Sequence, residues 1–262
     1  MGCALITGAS SGIGAAFARR LAAEGHDLVL VARRTERLAE LGSELERAHG
    51  IRALGLTADL ARERDLACVE QAIGGRPALD LLVNGAGFGT RGLFADIPAS
   101  RTQEMIALHV LAPVRLTRAA LPAMIKRGHG AVIQVSSLGA FMTTAHYTTY
   151  SATKAYLNTF SAGLRAELAG TGVRVQALCP GLTRTAFMDT AEYADFKYGQ
   201  VPAWAWMRPE EVVDESLAAL REGRLIVIPG RLNRLFVHVM QAPVLGAITS
   251  RVLEALGVED FV

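Results

Sequence analysis

The sequence has few cysteines and no long apolar segment, and each shortage excludes a class of protein. Cys3, Cys68 and Cys179 are widely spaced and form no CxxC pair, so we expect neither a disulfide framework nor a zinc site. No apolar run approaches about 18 residues without a charge or a breaker, so we expect no membrane-spanning helix. Strand-like sequence begins at Gly2, and nothing there is typical of a secretory signal peptide. These features predict a cytoplasmic protein without a bound metal ion.

The chain also lacks an excess of charge of either sign. Lys and Arg together number 27 against 25 Asp and Glu, and this balance gives no electrostatic footprint for binding nucleic acid. Hydrophobic residues make up 51% and charged residues 20%, which excludes wholesale disorder and predicts a sizeable core. Lysine itself is scarce, since only Lys126, Lys154 and Lys197 occur, and this scarcity makes any motif that contains a lysine more informative.

Short runs rich in β-branched residues alternate with longer helical patterns along the chain. Strands are predicted at 2–7, 27–32, 51–57, 79–84, 131–136, 173–178 and 225–228. Helices are predicted near 13–24, 35–49, 62–73, 101–127, 150–169 and 209–222. Apolar strands separated by amphipathic helices indicate a parallel sheet in a doubly wound, three-layer α/β fold. Residues 1–262 then form a single domain, with an irregular insert at about 182–208 and a tail at about 229–262.

A glycine-rich turn joins the first predicted strand to the first predicted helix. Its sequence is Thr-Gly-Ala-Ser-Ser-Gly-Ile-Gly at 7–14. Gly8 permits a sharp turn, Gly12 permits close approach of a ligand to the backbone, and Gly14 lets helix and strand pack closely. The helix N-terminus then offers free N–H groups to a pyrophosphate. A tight turn without a ligand is the alternative interpretation, because the spacing is not the common G-x-G-x-x-G.

The end of the second strand bears on the choice of dinucleotide. An acidic residue there would accept hydrogen bonds from the ribose of NAD, whereas an arginine accommodates the 2′-phosphate of NADP. The chain reads Ala32-Arg33-Arg34, with no acid, so Arg33 is predicted to hold the 2′-phosphate and Arg34 or Ser10 is the next candidate. Both arginines could instead be solvated charges near a helix start. Asp59, after the third strand, is expected at the adenine edge or as a helix cap.

Tyr150 and Lys154 begin a long helical pattern and share one face of it at i, i+4 spacing. With five Tyr and three Lys in 262 residues, only about 0.06 such pairs are expected by chance. A nearby ammonium and an oxidised nicotinamide ring would both favour the tyrosine phenolate, as proton transfer requires. Ser136 and Ser137 end a predicted strand, where hydroxyls face the ligand crevice. The alternative is an amphipathic surface pair without chemistry.

These motifs together resemble the short-chain dehydrogenase/reductase family over essentially the whole chain. The resemblance is carried by TGASSGIG at 7–14, Asp59, NGAG at 84–87, Ser137, YSATK at 150–154 and PGLTRT at 180–185. It implies a Rossmann-type fold with a seven-stranded parallel sheet. It implies that Tyr150 is the general acid or base, that Lys154 holds the ribose hydroxyls and lowers the tyrosine pKa, and that Ser137 binds the substrate oxygen. The residues implied at the cofactor are Gly8, Ser10, Ser11, Gly12, Ile13, Gly14, Arg33, Asp59, Leu60, Asn84, Ala86, Gly87, Tyr150, Lys154, Pro180, Gly181 and Thr185.

Two positions depart from the family pattern. Gly85 stands where a second asparagine is usual, and the backbone is expected to compensate. His109 stands where the family usually has an asparagine that helps to hold a water near the lysine. His109 is therefore a candidate for a changed proton relay, in which turnover would fall on the acid side near its pKa. The alternative is a buried histidine that is hydrogen-bonded to the backbone.

The insert at 182–208 is rich in aromatic residues and predicts a lid over an apolar substrate. Its aromatic residues are Phe187, Tyr193, Phe196, Tyr198, Trp204 and Trp206, and the residues expected to complete the wall are Phe88, Phe141, Met142, His146 and Tyr147. Packing against the domain or a second subunit is the alternative for some of them. The apolar tail is expected to cover a neighbouring subunit or its own pocket, with a membrane surface as the rarer possibility.

The resemblance implies an oxidoreductase that transfers a hydride between NADP(H) and the carbonyl or alcohol of a fairly apolar small molecule. NAD(H) is the second cofactor to consider, and a homodimer or homotetramer is expected. Two alternatives are an NAD-linked dehydrogenase of a lipophilic alcohol and a nucleotide-sensing regulator without turnover. The complete set of Ser137, Tyr150 and Lys154 argues against the regulator.

Overall fold

The computed structural model describes residues 2–76, 78–142, 145–188, 193 and 201–241. Seven strands form one parallel sheet in the order β3-β2-β1-β4-β5-β6-β7. The strands are β1 (Cys3–Thr7), β2 (Asp27–Ala32), β3 (Ala53–Thr57), β4 (Leu79–Asn84), β5 (Gly130–Val135), β6 (Val173–Leu178) and β7 (Ile226–Val227). The order reverses between β1 and β4, as in a doubly wound sheet. This architecture confirms the predicted α/β fold.

The described part of the chain contains eight α-helices. They are α1 (Gly12–Ala23), α2 (Thr35–His49), α3 (Glu63–Gly74), α4 (Ala99–Ile106), α5 (Ala112–Arg127), α6 (Thr148–Glu167), α7 (Pro209–Arg221) and α8 (Arg231–Gln241). Of these, α1, α2 and α7 cover one face of the sheet and α3, α5 and α6 cover the other. Apolar residues of α1, α2 and α7 form one core with the sheet. Those of α3 and α5, with the end of α6, form the core on the opposite face.

The central strand β1 shows how the sequence produces these two cores. Side chains alternate across a strand, so neighbouring residues point to opposite faces of the sheet. Ile6 packs with the α1, α2 and α7 side, whereas Leu5 packs with the α3 and α5 side. Both side chains are completely buried. A strand covered on both faces must therefore be apolar at successive positions, as β1 is.

Three predicted segments differ from the structure by more than a shift of one or two residues. The helix predicted at 101–127 is divided into α4 and α5 by a five-residue π-helical segment, Ala107–Leu111, which a regular apolar period does not reveal. The strand predicted at 225–228 is reduced to the two residues of β7 at the sheet edge. The predicted tail contains α8, while residues 242–262 lie outside the described residues. No helix in the described ranges combines the length and apolarity needed to cross a bilayer.

Candidate active site

The predicted site residues follow strands of a parallel sheet, so the fold brings them to one edge. Loops after β1, β4, β5 and β6 start where these strands end, at Thr7, Asn84, Val135 and Leu178. Because all strands are parallel, these carboxyl ends line one crevice beside the point where the strand order reverses. The glycine-rich turn, the NGAG segment, Ser137 and the PGLTRT segment therefore share this edge.

The glycine-rich turn has the geometry of an anion-binding cradle. Gly8 and Gly12 have φ values of 72° and 55°, in the left-handed region that favours glycine. A Cβ on Gly14 would collide with the Gly8 carbonyl oxygen, which explains the third glycine. Helix α1 begins at Gly12, and the Ser11 side chain makes no capping hydrogen bond. The first N–H groups of α1 therefore remain available, and the residues present fit a dinucleotide pyrophosphate.

Thr7 joins the glycine-rich turn to the NGAG segment. Its hydroxyl oxygen accepts hydrogen bonds from the backbone N–H groups of Gly85 and Ala86, at 3.0 and 3.1 Å. The hydroxyl itself donates to the Val83 carbonyl oxygen at 3.4 Å. These three hydrogen bonds of Thr7 involve only backbone groups of β4 and the loop that follows it, and none of them requires a side chain at Gly85. The departure at Gly85 therefore leaves the loop anchored.

Asn84 is buried below the crevice. Its amide group donates to Gln134 Oε1 at 3.0 Å and lies 3.3 Å from Thr117 Oγ1. Gln134 in turn donates to the same Thr117 hydroxyl at 2.9 Å. The side chain of Asn84 thus belongs to a buried polar network that supports the loop, and its predicted contact with the cofactor stays a prediction.

The two arginines after β2 take different environments. Arg34 Nη2 lies 2.8 Å from Ser10 Oγ and 2.7 Å from Ser11 Oγ, so its guanidinium sits on the glycine-rich turn. Arg33 Nη1 instead lies 3.7 Å from a carboxylate oxygen of Glu104 on α4. Burial and the neighbouring guanidiniums of Arg37 and Arg33 lower the pKa of Arg34. Such clustered positive charge beside a phosphate cradle favours an additional anion.

A groove of about 1240 Å³ borders the same turn. It runs between α1, α2 and the segment that follows β6, and its lining includes Ser10, Ser11, Arg34, Arg184 and Trp206. Arg34 therefore borders open space beside the glycine-rich turn.

Asp59 forms local contacts at the end of β3. Its carboxylate accepts a hydrogen bond from the Ala61 N–H at 3.2 Å and lies 3.5 Å from Arg62. Its own N–H donates to Asp65 at 2.9 Å. Leu60 beside it is buried in the core. Asp59 therefore orders the turn that leads into α3, and its predicted role at the adenine edge stays a prediction.

Tyr150, Lys154 and Ser137 come together as predicted from the sequence. Lys154 Nζ lies 5.6 Å from the centroid of the Tyr150 ring and donates to the Val135 carbonyl oxygen at 2.9 Å. Ser137 hydrogen-bonds with Tyr150, and its Oγ accepts from the Gly139 N–H at 3.1 Å. Because that N–H already occupies the serine oxygen, the serine proton is free to point toward the tyrosine hydroxyl.

Burial is the main influence on the pKa values of Tyr150 and Lys154. Burial raises the pKa of Tyr150, and the hydrogen bond from Ser137 opposes that rise. Burial lowers the pKa of Lys154 to about 8, and the Cys179 thiol acts weakly in the other direction. Removal from water penalises the charged forms of both side chains, and the lowering of the tyrosine pKa by Lys154 that the resemblance implies stays a prediction. The positive nicotinamide ring of an oxidised cofactor would favour the phenolate.

His109 lies beside this group, in the π-helical segment. The side chain is buried, and its ring centroid is 5.9 Å from that of Tyr150. Burial, with a smaller contribution from the charge of Lys154, lowers the pKa of His109 well below 6.5. An acid limb of turnover near the ordinary histidine pKa requires a histidine that titrates there. The geometry instead favours the buried, hydrogen-bonded alternative.

The segment after β6 closes the crevice on the other side. The Pro180 carbonyl oxygen accepts from the Leu138 N–H at 2.9 Å, so this segment is tied to the loop that carries Ser137. The side chain of Thr185 lies directly over Gly12, where a Cβ would approach it to 2.9 Å. A Cβ on Gly181 would in turn meet the Asn233 side chain at 2.7 Å. These contacts place the PGLTRT segment against the cofactor cradle.

Part of the predicted aromatic lid covers Tyr150. Phe187 lies between Tyr150 and Tyr193, with ring centroids 6.0 Å apart on each side. Tyr147, Tyr193 and Val201 form the centre of this apolar cluster. Further apolar residues packed against it are Leu182, Phe187, Ala205 and Trp206. Trp204 is 70% exposed and lies outside the cluster. Phe196 and Tyr198 lie outside the described residues.

Several functional neighbours are not evident from the sequence motifs. The Thr153 hydroxyl forms a hydrogen bond with the His109 ring. The guanidinium group of Arg101 stacks on the Phe88 ring, with its central carbon 3.7 Å from the ring centroid. Glu104 joins Arg101 to Arg33 through ion pairs of 2.6 and 3.7 Å. The Phe88 ring is thereby in contact with Arg101 and His109, and its predicted place in a substrate wall stays a prediction. Apart from the Arg101–Glu104 pair, which lies at i, i+3 on α4, these contacts join residues that are distant in sequence, and no local pattern signals them.

The chain matches the short chain dehydrogenase family model over residues 2–195. It is 35% identical over 226 residues to the uncharacterized oxidoreductase YmfI of Bacillus subtilis, covering 84% of this chain and 91% of that protein. The protein therefore belongs to the short-chain dehydrogenase/reductase family, and it is an NAD(P)-dependent oxidoreductase of the hydride-transfer type. The prediction of family and enzyme class is confirmed.

Two solved structures are similar over nearly the whole chain. A short-chain dehydrogenase from Sphingobium yanoikuyae in complex with NADPH is 37% identical, with a TM-score of 0.82, covering 88% of this chain and 89% of that one. The bulky-bulky ketone specific alcohol dehydrogenase from Comamonas testosteroni is 31% identical, with a TM-score of 0.79, covering 99% and 94%. The Rossmann-type arrangement of the seven-stranded sheet agrees with these structures.

Proposed function

We propose that the protein is an NADP(H)-preferring oxidoreductase that interconverts a carbonyl group and an alcohol on a fairly apolar small molecule. The observation that carries this proposal is the arrangement of Ser137, Tyr150 and Lys154 at the carboxyl edge of the sheet. Ser137 hydrogen-bonds with Tyr150, Lys154 is held beside the Tyr150 ring by the Val135 carbonyl, and Phe187 packs on Tyr150. The polar catalytic group is thus bordered by an apolar wall.

The preference for NADP(H) rests on the charge beside the cradle. Arg34 bridges the two serine hydroxyls of the turn, and Arg33 and Arg37 add positive charge nearby. A guanidinium forms paired, charge-assisted hydrogen bonds with a phosphate, so a 2′-phosphate suits this position. The similar Sphingobium yanoikuyae protein was solved with NADPH, which supports the same cofactor here. Glu104 draws Arg33 away, so we assign the larger share of recognition to Arg34.

In the reductive direction, NADPH held by the glycine-rich turn and Arg34 would supply the hydride that the carbonyl carbon of the substrate accepts. Ser137 donates a hydrogen bond to the substrate oxygen and polarises the carbonyl group. Tyr150 gives its hydroxyl proton to that oxygen, so the substrate leaves as an alcohol and the tyrosine becomes a phenolate. Lys154, held by the Val135 carbonyl near the ring, stabilises the phenolate by its positive charge. The oxidative direction reverses these proton transfers.

The aromatic cluster around Phe187 and Tyr193 favours a bulky, apolar ketone or the matching alcohol. Large aromatic side chains remove water from the reacting group and offer wide apolar contact area. The similar Comamonas testosteroni enzyme is described as bulky-bulky ketone specific, which supports this substrate class. We also propose a homodimer or homotetramer located in the cytoplasm, in line with the family resemblance and the sparse cysteine content.

A carbonyl panel tested with both cofactors examines the proposal directly. Purified protein is mixed with NADPH or NADH and with ketones of increasing apolar size, and nicotinamide absorbance is followed. We expect NADPH to be consumed faster than NADH, and bulky ketones to be better substrates than small ones. The matched control is Tyr150→Phe, which keeps the ring and removes the ionisable hydroxyl. It should keep NADPH affinity and lose about 10²–10⁴-fold in kcat. Normal kcat in Tyr150→Phe would exclude Tyr150 from proton transfer.

A further inference from the structure

The hydrogen bonds of His109 define its protonation state. Its Nε2 atom lies 3.0 Å from the backbone nitrogen of Phe88, which is a donor, so Nε2 must be an unprotonated acceptor. Its Nδ1 atom lies 3.1 Å from Thr153 Oγ1. The Thr153 hydroxyl gives its own proton to the Tyr150 carbonyl oxygen at 2.8 Å, which leaves its oxygen as an acceptor. Nδ1 therefore carries the proton, and the imidazole is neutral.

These two bonds join parts of the active site that are far apart in sequence. Phe88 directly follows the NGAG segment after β4, and Thr153 lies between Tyr150 and Lys154 on α6. Edge-to-face ring contacts with Phe88 and Tyr150, at 5.6 and 5.9 Å between centroids, hold the imidazole from both sides. A Cβ on Gly87 would lie 2.9 Å from His109 Nε2, so the glycine makes room for the ring.

We propose that His109 is a positioning residue, a neutral imidazole that fixes the spacing between the loop after β4 and the catalytic helix α6. This inference rests on the proposed function for its effect on turnover, while the tautomer itself is a property of the folded chain. His109 does not carry protons during the reaction, because both ring nitrogens are already committed to bonds that hold the structure together.

The charges around His109 favour this neutral state. Lys154 on α6 is the facing cation, and its charge opposes a second one on the ring. Tyr150 on α6 faces it with a hydroxyl that stays protonated at neutral pH. From α4, Arg101 lies on the far side of the Phe88 ring, and Glu104 is paired with that arginine. Protonation of Nε2 would also break its hydrogen bond with Phe88, because the backbone N–H of Phe88 is a donor and would then face a second N–H.

Nuclear magnetic resonance of the protein labelled with ¹⁵N-histidine tests the tautomer directly. The His109 signals, assigned by their loss in His109→Gln, are expected to show a protonated Nδ1 and an unprotonated Nε2 with no titration between pH 8 and pH 5. A protonated Nε2, or a titration near the ordinary histidine pKa, would overturn the proposal. This measurement needs no substrate, so it distinguishes failure of this inference from failure of the proposed function.

Variants of the threonine partner test the effect on catalysis. Thr153→Val keeps the shape of the side chain and removes the acceptor for Nδ1–H, and we expect kcat to fall roughly tenfold to a hundredfold while NADPH affinity changes little. Thr153→Ser keeps the hydroxyl and should restore most of kcat. Equal kcat in the valine and serine variants would show that the bond does not position the catalytic helix.

Discussion

Replacing Arg34 with alanine is expected to weaken binding of NADPH much more than binding of NADH. The Arg34 guanidinium lies 2.7–3.2 Å from the hydroxyls of Ser10 and Ser11, on the turn that leads into α1. A 2′-phosphate at this position would gain charge-assisted hydrogen bonds from it, and NADH has no such group. The matched control is Arg33→Ala, which removes the same charge one residue earlier.

The magnitude follows from the bonds that each arginine has to give up. A hydrogen bond to a charged group contributes about 1.5–3 kcal/mol, which corresponds to roughly tenfold to a hundredfold in affinity. Arg34 exchanges neutral serine partners for a phosphate and should show most of this range. Arg33 must first leave Glu104, an exposed ion pair worth at most about 1 kcal/mol, so its loss should cost correspondingly less.

Fluorescence or calorimetric titration of both cofactors into both variants and the wild-type protein measures these differences. The result expected is a loss of NADPH affinity in Arg34→Ala that exceeds the loss in Arg33→Ala, with NADH affinity nearly unchanged in each. Equal losses for NADPH and NADH in Arg34→Ala would refute the assignment to the 2′-phosphate. A larger effect in Arg33→Ala would restore the prediction made from the sequence.

Three further predictions concern stability. Gly14→Ala should lower both the Tm and the affinity for NADPH, because the new Cβ would collide with the Gly8 carbonyl oxygen. The control is Gly163→Ala, whose Cβ would meet no neighbour within 4 Å. This control should keep the Tm or raise it in the same melting experiment. Leu116→Ala should lower the free energy of unfolding, measured by urea titration, by about 2–5 kcal/mol, since the Leu116 side chain is fully buried. A loss below about 1 kcal/mol would mean that the core collapses into the space that the leucine leaves. Burial lowers the pKa of Lys154 to about 8, so the unfolded chain binds the lysine proton more tightly than the folded chain. The free energy of unfolding of the wild-type protein should therefore rise relative to that of Lys154→Met between pH 8 and 10.5. The rise should be at most about 3 kcal/mol. A difference that stays constant over that pH range would contradict the buried lysine.

The motifs predicted from the sequence are those in which the interacting residues are close together along the chain. The glycines of the turn at 7–14 act within one strand–helix junction, and Tyr150 and Lys154 share a helix face because helices repeat every 3.6 residues. Their chemistry could therefore be inferred from spacing. The parallel sheet then brings separate junctions to one edge, which follows from the alternation of strands and helices.

Other features depended on details that a regular pattern does not carry. The helix predicted at 101–127 is interrupted at Ala107–Leu111, because a π-helical segment changes the direction of side chains without changing the apolar composition. The choice between a proton relay and a positioning role for His109 also stayed open. That choice depends on hydrogen-bond partners at Phe88 and Thr153, which are 21 and 44 residues away in sequence.

The sequence by itself predicted the fold class from strand–helix alternation and the pairing of Tyr150 with Lys154 from helix spacing, because both are local properties, and the resemblance of its motifs predicted the family. Only the tertiary structure decided which arginine sits on the glycine-rich turn, since Glu104 of α4 pairs with Arg33 while Arg34 contacts Ser10. It also placed Phe88 and Thr153 beside the His109 ring, and it buried Tyr150 and Lys154, which raises the pKa of the tyrosine and lowers that of the lysine. Desolvation and long-range hydrogen bonds arise when distant segments pack together, and so they become visible only in the folded chain.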